Sequence, residues 1–191
     1  DASQAEGMKN LGLASSTVEK WEDGYRAAKA ADSTFEWWYF DCQFDDGSTL
    51  VVTFSNKPHT DPSGPLVPTV LAIRQLPDGT RQHLEPTFSP DQFSASTEKC
   101  DVAIGPNTVK GDLDTYELHL ELDGLTADVT ITRAAPSWRP GAGINYFDSA
   151  RDHYLAWVVP VPYGTVTATI TEGGSPSTLT GTAYHDHNWG N

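Results

Sequence analysis

The segment Tyr116-Glu117-Leu118-His119-Leu120-Glu121-Leu122 alternates apolar and polar residues without a break, a period of two that fits a half-buried strand and does not fit a helix. Tyr116 and the three leucines share the dry face; Glu117, His119 and Glu121 share the wet one. Asp123-Gly124 then supplies the positive-φ residues of a tight hairpin turn, and Ala127, Val129 and Ile131 alternate with polar partners on the way back. Asp46-Gly47 and Asp78-Gly79 mark two more turns of this kind. Similar β-branched and aromatic runs predict strands over 35–43, 49–56, 69–76, 82–88, 100–104, 153–161, 165–171 and 178–185. With no helical pattern between them, these predict an all-β fold, an antiparallel barrel or a strongly curved sandwich, in which closure of the sheet would remove exposed edges.

At 191 residues the chain is sized for one core rather than two. Residues 1–34 differ from the rest in being rich in Ala, Ser, Glu and Lys. There a Ser16-x-x-Glu19 pattern caps a short helix that Gly24 weakens. The expected organisation is an irregular N-terminal arm over 1–34, anchored by Trp21 and Tyr25, followed by one β domain over 35–191. Two long loops interrupt the meander, 57–68 with its four prolines and 136–152; loops of this length serve as lids or binding loops, or simply run over the surface.

Twelve basic residues against 26 acidic ones leave a net charge of −14, which repels phosphate backbones and anionic lipid surfaces; nucleic acid is excluded as a partner class. No apolar run approaches the roughly 18 residues of a transmembrane helix. Asp1 fits a mature terminus after signal cleavage or a mere boundary, so the compartment stays open, secretion included. Cys42 and Cys100 lie in separate candidate strands without CxxC spacing, and one disulfide or two buried thiols both fit.

Two clusters carry the chemistry. In Phe35-Glu36-Trp37-Trp38-Tyr39-Phe40-Asp41, alternation sends Phe35, Trp37, Tyr39 and Asp41 to one face and Glu36, Trp38 and Phe40 to the other, so both faces must be covered. A carboxyl beside an indole in a cavity would be desolvated and shifted toward its protonated form. The second cluster is Tyr184-His185-Asp186-His187-Asn188-Trp189-Gly190. His185 and His187 share a strand face and can act as metal ligands, but the spacing of His59, His83, His119 and His153 nominates no further ligand, so hydrogen-bonded structural roles are expected for the pair. The chain contains no Gly-x-Ser-x-Gly elbow, phosphate-binding glycine loop or HExxH helix, which leaves chemistry based on shaping and hydrogen-bonding a substrate, without metal or organic cofactor.

Asp32-Ser33-x-Phe35-Glu36-Trp37-Trp38-Tyr39-Phe40-Asp41, Cys100-Asp101-Val102-x-Ile104-Gly105-Pro106-Asn107, Ser137-Trp138-Arg139-Pro140-Gly141 and the terminal Tyr184-to-Gly190 cluster together resemble one lipocalin-like family. It comprises carotenoid 1,2-hydratases (hydroxyneurosporene synthases) and the fungal Diels–Alderases that form decalins. The resemblance implies a lipocalin-like barrel that is the first half of a two-domain architecture, with a second lipocalin-like domain or chain as partner and a hydrophobic small molecule as substrate, bound in a pocket of this barrel or between the two halves. Two reactions follow from it. Cyclisation of a linear polyene needs aromatic walls and a hydrogen-bond donor on an activating carbonyl; hydration of an isoprenoid double bond needs a protonated carboxyl and a water. The candidate catalytic residues are Glu36, Asp41, Asp186 and Asn188, and the candidate substrate-binding residues Trp37, Trp38, Tyr39, Trp157, Tyr184 and Trp189. Cyclisation is the preferred reading. A non-catalytic carrier of a hydrophobic ligand and a structural domain with a filled core stand beside the enzyme readings.

Overall fold

A computed structural model of the chain describes residues 8–9, 11–13, 16–27 and 33–191. Each Asp-Gly pair turns the chain as its chemistry demands. Gly47, Gly79 and Gly124 take φ of 85°, 87° and 73°, and the Asp46 and Asp78 carboxylates accept the amides of Ser48 and Thr80. The strands between turns are β1 (Phe35–Phe44), β2 (Thr49–Ser55), β3 (Thr69–Gln75), β4 (Arg81–Leu84), β5 (Phe93–Ala95), β6 (Asp101–Ile104), β7 (Asn107–Gly111), β8 (Thr115–Leu122), β9 (Leu125–Arg133), β10 (Ile144–Tyr146), β11 (Tyr154–Glu172) and β12 (Ser175–Gly190). All join one antiparallel sheet in the order β4-β3-β2-β1-β12-β11-β9-β8-β7-β6-β5, with β10 paired to β11.

The sheet is strongly curled. Phe40 on β1 and Tyr116 on β8 are four strands apart, about 19 Å across a flat sheet, yet their ring centroids are 6.0 Å apart. The inner face is closed by Trp38, Phe40, Leu50, Phe54, Ile104 and Ile131, all fully buried, so side chains fill the space that the sheet encloses. The strict alternation over Tyr116–Leu122 and Leu125–Arg133 is realised as expected, with the leucines inward and Glu117, Glu121 and Asp128 in solvent.

In three respects the structure departs from the sequence reading. Closure is incomplete: the path ends at β4 and β5, which are not paired with each other. These edges are only four and three residues long, the blunting expected of exposed edges. Second, the strands expected over 153–161 and 165–171 are one 19-residue strand, in which two register shifts between Val158 and Gly164 absorb Pro160, Pro162 and Gly164 as irregularities. Its hairpin partner is reached through Gly173-Gly174, both at positive φ. Third, β5, β7 and β10 lie outside the expected strands, and the strand expected over 82–88 stops at Leu84.

Ahead of β1, Lys20–Asp23 forms a 3₁₀ turn begun by Glu19, whose amide donates to Glu22 Oε1 at 2.8 Å; the cap falls three residues after Ser16. Gly24 closes the turn where a Cβ would meet the Thr97 carbonyl oxygen at 2.6 Å. Tyr25 then packs on Trp38 and Phe93. Asp32, the first residue of the earliest motif, lies outside the described residues. Cys42 and Cys100 are free, buried thiols and no disulfide joins them; burial pushes Cys42 up to about 12 and Cys100 well above its ordinary value. No helix among the described residues is long and apolar enough to cross a membrane.

Candidate functional site

Strands β1 and β12 run side by side with Trp37 opposite Asn188, Tyr39 opposite Asp186 and Asp41 opposite Tyr184. Because strand side chains alternate, this register gathers residues that the sequence separates by some 145 positions. Six of the ten candidates, Trp37, Tyr39, Asp41, Tyr184, Asp186 and Asn188, share the outer face, and β11 adds Trp157 opposite Asn188. Glu36 and Trp38 point the other way and are fully buried. Trp189 lies on that same inner side, its ring 4.9 Å from His187.

On the outer face Asp186 is the hub. Its Oδ2 accepts hydrogen bonds from the Tyr184 hydroxyl at 2.7 Å and Trp157 Nε1 at 3.1 Å, and its Oδ1 accepts one from Asn188 Nδ2 at 2.8 Å. One strand over, the Tyr39 hydroxyl donates to Asp41 Oδ2 at 3.4 Å and Gln43 to Asp41 Oδ1 at 2.7 Å. The two phenol rings meet edge to face at 6.3 Å. Burial, then the neighbouring Asp41 charge, pushes the Tyr39 phenol up to about 12, and burial with the bond to Asp186 raises Tyr184. Both are therefore neutral hydroxyls at physiological pH. Trp138, half exposed, meets Trp157 edge-on at 5.4 Å. Beside the patch Trp37 stacks on Phe35 and walls a cavity of about 500 Å³ with Thr53, Ser55, His59 and Leu71. The outer face of β8 and β9, by contrast, carries Glu117, Glu121, Thr126, Asp128 and Thr130, all exposed.

The inner face holds a second polar group that alternation alone did not assemble. Glu36 accepts the amides of Arg26 and Ala27 at 2.8 and 2.6 Å and pairs with His187 Nε2 at 2.7 Å. Asp23, from the 3₁₀ turn, accepts the Tyr116 hydroxyl at 2.5 Å and faces His185 Nε2 at 3.2 Å. His185 stacks on Phe40 and His187 on Trp38, at 4.1 and 4.6 Å. The spacing in sequence nominated neither Asp23 nor Tyr116, since no local signal links a turn before β1 to β8 and β12. Trp189 itself lines a cavity of about 310 Å³ with Trp21, Arg26, Arg139 and Tyr154, which reaches the Asp186 cluster through Trp157, also in its wall.

Fold and neighbours together define a lipocalin-like all-β domain carrying an aromatic and carboxylate face. The chain is similar in structure to a Nitrosomonas europaea protein assigned as AttH, with a TM-score of 0.71 at 18% identity over 93% of this chain and 57% of that one. It is similar also to kievitone hydratase from Nectria haematococca, with a TM-score of 0.58 at 14% identity over 82% of this chain and 48% of that one. A third similar structure is CghA, with a TM-score of 0.58 at 16% identity over 92% and 51%; a structure of CghA with Sch210972 is similar too. The chain spans about half the length of these proteins. No family model matches the sequence, and no match was found among curated proteins.

Proposed function

We propose that the outer face of β11, β12, β1, β2 and β3 is one wall of a site for an extended apolar substrate, a polyene, terpenoid or polyketide-type chain, and that it promotes cyclisation of that substrate. The observation that carries this reading is the Tyr39–Asp41 and Tyr184–Asp186 pairing, two neutral phenols and two carboxylates flanked by Trp37 and Trp157. Aromatic planes hold an apolar chain in a folded conformer, which supplies proximity. The Asn188 amide, whose Nδ2 carries a second hydrogen beyond the one given to Asp186, donates to an activating carbonyl as charge develops on it, while each phenol gives its single hydrogen to its carboxylate. Five adjacent strands span roughly 19 Å, which suits an extended ligand. Asp186 already accepts three donors, so it is arranged as an acceptor that orients Tyr184, Trp157 and Asn188 rather than as a proton source.

A second reading, hydration of an isoprenoid double bond, draws support from the rings of Trp157 and Tyr184 beside Asp186, with Trp138 against Trp157: protonating an alkene creates a carbocation, which aromatic faces stabilise. In both readings a second lipocalin-like domain or chain covers the face, which is half-buried and aromatic where the far side of the sheet is charged and exposed.

The test is to incubate the protein with a linear polyenoyl tetramic acid and, separately, with an acyclic carotenoid, and to analyse products by mass. An isobaric cyclised product supports cyclisation, and a product heavier by one water supports hydration. Tight binding of either compound without conversion overturns both and identifies a carrier.

A further inference from the structure

The polar group inside the barrel contains a conflict that protons alone do not resolve simply. His185 Nδ1 lies 2.9 Å from the Tyr39 carbonyl oxygen, which can only accept, so Nδ1 carries the hydrogen and Nε2 presents its lone pair toward Asp23. His187 Nε2 faces Glu36, which already accepts two backbone amides, so Nε2 is the donor and Nδ1 presents a lone pair. That Nδ1 lies 3.5 Å from Asp23 Oδ1, and both atoms are buried without a hydrogen bond. With both rings neutral, two imidazole lone pairs converge on one carboxylate in a region closed to water, an arrangement that calls for a cation, either a metal ion or an added ring proton. Beside it stands Cys100: one ligand atom each from Asp23, Cys100 and His185 lie within 4.8 Å of one another, and all three residues are buried.

We propose that Asp23, Cys100 and His185, with His187 Nδ1 alongside, form a structural site for a divalent transition-metal ion, zinc by the chemistry of its donors. Thiolate, imidazole and carboxylate together match zinc and do not match magnesium or calcium. The surrounding groups are those that orient metal ligands: the Tyr39 carbonyl fixes the His185 tautomer, Glu36 fixes that of His187, and the Tyr116 hydroxyl holds Asp23. On binding, the ion takes the place of the Cys100 thiol proton, which leaves to solvent. The site ties the turn before β1 to β12, directly behind Asp186, and the missing ligands that spacing along the chain did not nominate come from elsewhere in the fold.

Cobalt(II) is the probe, added to the metal-free protein and to its Cys42→Ser variant, in which Cys100 is the sole thiol. The expected result is a thiolate-to-cobalt charge-transfer band that saturates at one equivalent in both proteins, is displaced by zinc, and accompanies a rise in Tm. Cys100→Ser, checked for folding by circular dichroism, loses the band. Absence of the band in the wild-type chain overturns the proposal and leaves a proton-bridged network. Its loss in Cys42→Ser does the same, as does cobalt binding without a thiolate band, which would locate the ion at exposed histidines such as His119 beside Asp128.

Discussion

The Tyr184 hydroxyl donates a 2.7 Å hydrogen bond to Asp186, two residues along the same strand and on the same outer face. The pair joins a neutral phenol to a carboxylate that Trp157 and Asn188 also hold in place, so the function proposed for the face rests on this one contact.

Replacing Asp186 by Asn leaves an amide where three donors expect an anion. Charge-assisted hydrogen bonds are worth about 1.5–3 kcal/mol each. Conversion of the proposed polyene substrate, measured as initial rate, is expected to fall by about 10- to 100-fold, with a lowered Tm from the weakened hydrogen bonds. Full activity in Asp186→Asn would place the reacting face elsewhere.

Glu36 tests the division between the faces. It is fully buried and holds two amides and His187, so Glu36→Ala strands these partners without an acceptor and is expected to cost about 3–5 kcal/mol in urea denaturation. Asp41→Asn, on the outer face, is expected to cost only about 1 kcal/mol. Equal costs would contradict the assignment of Glu36 to structure and Asp41 to the site.

Gly111 pairs with Tyr116 across β7 and β8, and a Cβ at this position would run into the tyrosine ring. Gly111→Ala is therefore expected to destabilise the fold by about 1–3 kcal/mol. It also displaces the Tyr116 hydroxyl from Asp23, so the variant should show altered near-ultraviolet dichroism as well as a lower denaturation midpoint.

Alkaline stability follows from the phenols. Burial raises Tyr25, Tyr39, Tyr116, Tyr154 and Tyr184, with Tyr39 at about 12. Between the unfolded value near 10 and these folded values, the folded state binds more protons than the unfolded one. This contribution to stability is fully present below pH 10 and is lost as pH rises through the folded values. An ultraviolet phenolate titration should show a fraction of the seven tyrosines ionising only together with unfolding. A single smooth ionisation centred near pH 10 with the fold intact would contradict the burial of these hydroxyls.

Much of the architecture was legible in local chemistry. The Asp-Gly turns need only backbone sterics, and the alternation over Tyr116–Leu122 needs only the strand period, so both survive into the fold without help from distant residues. The same period sorted Trp37, Tyr39 and Asp41 from Glu36 and Trp38 before any partner was known. What local chemistry misjudged was the stretch 162–164, left between two expected strands and in fact carried inside β11, because pairing with β12 resumes on either side of the irregularity.

Sequence by itself therefore determined the longer alternating strands, the Asp-Gly turns and which side chains share a face, since these depend on contacts between near neighbours in the chain. Only the tertiary structure decided which faces meet. Register between β1 and β12 set Tyr39 against Asp186, and curling of the sheet brought Asp23, Cys100 and Tyr116 to His185. Those meetings join residues up to 162 positions apart, and packing the inner face shut, which no short-range pattern encodes, is what holds them together.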